Sequence, residues 1–180
     1  MQLALAGDQA ELLEMIRAKA TNLFESGEML CAPAVLVTLN GVLGGGLDSR
    51  QAKALAAALP VGMGGAGCTC GSLSGAQVAL GLFLGSKTPW RKMAPPAKAM
   101  HDQFKEHFGS TCCRVLSKKL RNDAKAHKAF CAQLTGEASV IAAQIILDAK
   151  PGLAGSADLD FLAKRTTRLA AGVKKLVGAG

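Results

Sequence analysis

Residues 53–84 read KALAAALPVGMGGAGCTCGSLSGAQVALGLFL, and the fold turns on how this stretch divides. Gly62, Gly64 and Gly67 match G-x-G-x-x-G. A dinucleotide site needs a strand before that pattern and an acid roughly 20 residues after it to hold the ribose. What precedes is KALAAALP, a helix former, and no acid lies between Asp48 and Asp102. The dinucleotide reading fails on both counts. The glycines from Gly62 to Gly71 read instead as a loop that turns tightly and approaches something closely. The apolar run from about Ser72 to Leu84 then reads as a helix. Gly71, Gly75, Ala76 and Ala79 give it small-residue spacings that admit a neighbouring helix.

Working outward, the rest is helix after helix, with no period-2 strand. Asp8 and Glu11 form a D-x-x-E capping pattern ahead of the stripe Leu12, Leu13, Ile16, Ala20, Leu23 and Phe24, which Gly27 stops. A second helix spans about Leu30 to Val42, with Pro33 tolerated in its first turn. It is apolar nearly all round and so belongs at the centre. Asp48 caps a third helix with Gln51 at the capping-box position, and Pro60 ends it. Pro95 and Pro96 open a fifth, closed by Gly109. Ser110 caps a short helix to about Lys118, and Asp123 starts a long one to about Asp148, with an interruption expected at Gly136. After a loop from Pro151 to Ser156, a last amphipathic helix is expected from about Ala157 to Val177.

This pattern predicts an all-α fold, a compact orthogonal bundle of about seven to eight helices. Residues 1–150 form one helical cysteine domain. Residues 156–180 form a C-terminal amphipathic helix docked on it.

Composition narrows the function. The chain has 180 residues, 49% of them hydrophobic, and a net charge of +8. That excludes a disordered chain, and six cysteines are too sparse for a disulfide scaffold. Aromatics at 4% argue against single-stranded nucleic acid, which needs stacking platforms, and no motif marks a DNA-reading helix. Apolar stretches around residues 28–48 and 53–87 are broken by Pro and Gly, so no membrane span is expected. The start MQLALAG lacks the features of a secretory signal, which makes the cytoplasm the default compartment.

The cysteines carry the chemistry. Cys31 opens the second helix, Cys70 enters the fourth, and Cys113 lies three residues after Ser110. Helix N-termini favour thiolates. Arg50, Lys53, Lys87, Arg91, Lys92 and Lys98 fall in the acid-free stretch, and Arg114 adjoins Cys113, so an electropositive thiolate pocket is expected. No C-x₂-C or H-x₃-H pairs suggest an ordinary zinc site, and the lack of C-x-x-C-H excludes covalent haem. His107 reads as a surface or half-buried helix residue.

LCAPAVLVTL, CTCGSLSG, HFGSTCCRVL and FCAQLTGEASVIAAQ together resemble the redox-active family named C_GCAxxG_C_C, over about residues 30–147. The resemblance implies four site cysteines, Cys31, Cys70, Cys113 and Cys131, with Gly67, Gly71, Gly75 and Arg114 beside the cofactor. Cys68 and Cys112 fall outside its pattern.

The leading expectation is an iron–sulfur cluster on the four cysteines, used for electron transfer or redox sensing. A metal-free thiol–disulfide protein is the second, using Cys70 and Cys113 with Cys68 and Cys112 as resolving thiols. A structural zinc site is the third. From another class comes a helical binding or assembly module, in which the last helix meets a partner or a second copy as a homodimer. The expected partner is a redox protein, acidic in character.

Overall fold

The computed structural model describes residues 2–167, with side chains from residue 9 onward. Among the described residues, nine α-helical segments follow one another and there is no β-strand. They are α1 (Gln2–Glu25), α2 (Cys31–Leu43), α3 (Ser49–Ala56), α4 (Pro60–Met63), α5 (Gly71–Leu84), α6 (Trp90–Phe108), α7 (Cys113–Leu116), α8 (Ala124–Ala149) and α9 (Leu159–Ala163). The fold is all-α, as the patterning implies.

Helix α2 is the centre. Ten of its 13 residues are buried, including Val35, Leu36, Leu39 and Val42. It packs against α5 and α8, and α1 lies along α8. The glycine of α5 explains the closeness of the first contact. A Cβ on Gly75 would lie 2.6 Å from the Ala32 carbonyl oxygen and 2.9 Å from its Cα. Ser72 and Thr135 share a buried hydrogen bond of 3.2 Å that ties α5 to α8. Helix α8 is also long and apolar enough to cross a membrane, and more than half of that stretch is buried inside this fold.

Several helix ends obey the sequence. Asp48 accepts from Arg50 and Gln51 N–H groups, and the Gln51 side chain accepts from the Asp48 N–H, a complete capping box. Asp123 accepts from Ala126 N–H at 2.9 Å to start α8. Others differ. The first helix begins at Gln2, so Asp8 is interior rather than a cap; the Leu- and Ala-rich residues before it are themselves good helix formers. Helix α6 begins at Trp90, capped by Pro89, and Pro95 and Pro96 sit inside it rather than at its start. Gly136 does not interrupt α8. Its missing Cβ makes room for α1, where Thr21 Oγ1 would be 2.6 Å away.

The last described segment departs most from expectation. Residues Pro151–Ser156 form a 3₁₀ helix rather than a loop, and α9 covers only Leu159–Ala163. Lys164 has left the helical region, so no continuous helix runs from 157 to 177, and residues 168–177 lie outside the described residues. What is described docks firmly. Phe161 sits over Gly41 of α2 and 4.6 Å from the Lys19 ammonium, and Asn22 pairs with both backbone groups of Thr166.

Candidate functional site

The four helix-linked cysteines meet. Cys31, Cys70, Cys113 and Cys131 all line one cavity of about 270 Å³. Its walls are otherwise mostly apolar, with Phe24, Leu30, Val61, Leu116, Phe130 and Leu134 among them. All six cysteines of the chain are free thiols.

Each thiol arrives on its own element. Cys31 is the first residue of α2, Cys70 is the N-cap of α5, and Cys113 is the first residue of α7. Cys131 is different: it lies well inside α8, not at a helix start. The segments 67–70 and 111–114 are laced together antiparallel. Cys70 N–H donates to Thr111 O at 2.8 Å, Cys113 N–H to Cys68 O at 2.6 Å, and Arg114 N–H to Gly67 O at 3.1 Å. This short ladder sets Cys70 opposite Thr111 and Cys113 opposite Cys68, so Cys70 and Cys113 are diagonal neighbours across it.

The glycine loop wraps the ladder through an unusual backbone. Val61, Gly62, Met63 and Gly64 all take φ between 57° and 67°, a left-handed turn. Val61 and Met63 carry side chains there at a cost of roughly 1–2 kcal/mol each. The need for the turn is visible at Gly62. A Cβ there would lie 2.8 Å from Cys113 Cβ and 2.7 Å from Cys68 N. Gly71 serves the cavity directly, since a Cβ on it would be 2.5 Å from Cys31 Sγ.

Gly67 and Arg114 act otherwise than expected. Neither lines the cavity. Arg114 Nη2 donates to Ala66 O at 2.6 Å and pins the loop from outside. Cys68 is exposed, and Cys112 Sγ donates to Gly67 O at 3.2 Å; both thiols lie outside the cavity lining. None of Arg50, Lys53, Lys87, Arg91, Lys92 and Lys98 lines it either, so the acid-free stretch does not build an electropositive pocket. The polar groups that do are His127 and Lys128 of α8, with Ser72 and Ser117. His107 is exposed and stacks on Phe108, with centroids 4.6 Å apart.

His127 was not singled out from the sequence. Its signal is the spacing His127-x₃-Cys131, one helical turn, which puts both on one face of α8.

Burial sets the protonation of the thiols. Desolvation pushes Cys70 up to about 11 and Cys131 to about 12, and raises Cys31 and Cys113 as well. Backbone N–H groups of Ser72 and Leu73 at the start of α5 pull Cys70 the other way, as a helix N-terminus should, but burial outweighs them. Each thiol also disfavours ionisation of its neighbours: Cys131 feels Cys31, Cys70 and Cys113. The expected thiolate pocket is therefore, without a guest, a pocket of neutral thiols.

That has a consequence for stability. An unfolded thiol ionises near 9, whereas the folded ones hold their protons to higher pH. Above that value the unfolded chain binds fewer protons, so stability falls as pH rises. The metal-free protein is expected to keep this contribution in full below about pH 9 and lose it towards about pH 11–12. Thermal unfolding across that range should show a Tm that falls more steeply than in the double variant Cys70→Ala/Cys131→Ala. Parallel curves would refute it.

Among the described residues, no three His, Cys, Asp or Glu side chains come close enough to hold a single metal ion. A tetrahedral zinc with Zn–S of about 2.3 Å would draw its sulfurs to within roughly 4 Å of one another. Four thiols lining one cavity are the donor type and number that an iron–sulfur cluster takes.

A family model described as "Putative redox-active protein (C_GCAxxG_C_C)" matches residues 29–145, well over half of the chain. No curated protein and no solved structure matches it.

Proposed function

The chain belongs to the C_GCAxxG_C_C family of redox-active proteins, and on that premise we propose that Cys31, Cys70, Cys113 and Cys131 hold an iron–sulfur cluster used for electron transfer or redox sensing. The observation that carries the reading is the meeting of these four thiols, from four separate helices, in one cavity. When bound, such a cluster supplies one-electron chemistry at a potential set by its net charge, its hydrogen bonds and its exposure.

The chain's own residues supply the rest. Ser72 and Leu73 N–H groups point at Cys70, and Val61 and Ala32 N–H groups at Cys31. Donors to ligating sulfur stabilise its negative charge and so tune potential. Phe24, Phe130, Leu116 and Leu134 exclude water. Because the thiols are neutral without a guest, loading must displace protons, and affinity should rise with pH.

The metal-free thiol–disulfide reading fits the cavity less well. Disulfide exchange needs thiolate, and burial works against it at all four positions. A single zinc ion is less well supported, since among the described residues no three such donors are gathered around one point.

Anaerobically purified protein, reconstituted with ferrous iron and sulfide, is expected to be brown, to contain both elements and to bleach with dithionite. Colourless protein that takes up neither element would defeat the proposal.

A further inference from the structure

Resting on the cysteine cavity as the redox site, we infer that the basic rim of its mouth docks an acidic electron-transfer protein. One wall of the cavity, including Leu116, Ser117, Ala124, His127 and Lys128, comes from residues 114–128. That stretch carries Arg114, Lys118, Lys119, Arg121, Lys125 and Lys128 against one carboxylate, Asp123. All six cations are exposed. Asp123 is engaged as the cap of α8.

The mouth also carries exposed apolar side chains. Leu30 and Val61 are more than half exposed while also lining the cavity. Val115, beside the lining residue Leu116, is exposed, as is Met63, which follows Val61 in the left-handed turn. Exposed apolar side chains next to a run of cations are the anatomy of a protein interface, and the charge sets encounter rate and orientation. Glu25 adjoins this basic stretch, its carbonyl accepting from Lys128 Nζ at 2.7 Å, and leaves the six cations in excess there. A partner with an acidic face would seat against the α7–α8 side.

A second basic patch does not compete for this role. Lys87, Arg91 and Lys92 surround the exposed Trp90. That patch follows the C-terminal end of α5, whose N-terminus is at the cavity; 14 residues at about 1.5 Å each set them roughly 20 Å apart. A protein bound there would be remote from the thiols. The patch provides a matched control.

The probe is an acidic [2Fe–2S] ferredoxin, titrated into isotope-labelled protein at low salt and followed by NMR shift mapping. Perturbations are expected at residues 114–128 and around Leu30 and Val61. The variant K118E/K119E/R121E should weaken binding by at least about tenfold. The variant K87E/R91E/K92E changes net charge equally and should stay within about twofold of wild type. Equal weakening by the two variants, or no perturbation at the rim, overturns the inference. So does loss of sedimentation with phosphatidylglycerol vesicles in the rim variant with no response to ferredoxin, which would assign the rim to a membrane surface. The titration is run with and without reconstituted iron. Protein that takes up no iron on reconstitution yet docks at the rim removes the cluster reading and keeps the docking. Loaded protein that does not distinguish the variants does the reverse.

Discussion

Cys131→Ser and Cys70→Ser are each expected to cut the iron retained after anaerobic reconstitution to below about a tenth of the wild-type amount. The ground is positional. Both cysteines line the cavity, Cys70 buried and Cys131 half-buried, away from the exposed thiol of Cys68. A serine hydroxyl is a harder, less readily ionised ligand, and it brings a polar group into an apolar wall at about 1–3 kcal/mol if unpaired. Cys68→Ser and Cys112→Ser are the controls. Cys68 is exposed, and Cys112 points to the Gly67 carbonyl, so neither change should move iron content by more than about a fifth. Iron analysis and absorption spectra of the five proteins decide it. Equal loss in the control pair would mean that the extra thiols are ligands and the set of four is wrong.

The second large effect concerns glycine, and it has opposite signs at two positions of one helix. Gly75→Ala is expected to destabilise the protein by about 1–3 kcal/mol, the cost of overpacking a tight interface. The new methyl would meet Ala32 backbone at 2.6 Å and 2.9 Å, and backbone cannot swing aside. The helices α2 and α5 must part, and their N-terminal cysteines part with them. Iron loading should fall together with Tm. Gly81→Ala, six residues further along α5, meets nothing within 4 Å. There alanine is simply the better helix former, and stability should rise by up to about 1 kcal/mol, or roughly 2–4 °C in a chain of this size. Thermal unfolding of both variants is the check. A Gly75→Ala protein as stable as wild type would show that the α2–α5 contact has slack.

Much of this was legible in the sequence. Asp48 with Gln51, and Asp123 with the run after it, announce helix starts because a short polar side chain reaching a free N–H is a local event. The central helix α2 declared itself through apolar residues all round. The four cysteines could be grouped by motif. What could not be read locally was the outcome of competition. Asp8 has the look of a cap, but the residues before it prefer helix too, and the helix ran through. Pro95 and Pro96 suggested a start, yet Pro89 supplies one a turn and a half earlier. The expected thiolates are the clearest case. Helix N-termini do aim N–H groups at Cys70, but the depth of burial depends on Phe130, Leu134 and Leu116, which arrive from distant sequence. Likewise, Arg50 and Lys53 went to α3, and Arg91, Lys92 and Lys98 to α6, while the lysine that lines the cavity is Lys128 of α8. His127 became a lining residue only because α8 turns that face inward.

The order in which the thiols occur along the chain has a further meaning during synthesis. A ribosome releases Cys31, Cys70 and Cys113 well before Cys131, and α8 must emerge before the last wall closes. A nascent chain halted ahead of residue 124 presents at most three of the thiols and none of the surface from Phe130 and Leu134. Contacts of such wide sequence separation form late, after their loop-closure cost has been met. If the four thiols hold the proposed cluster, its complete ligand set exists only once synthesis has passed α8.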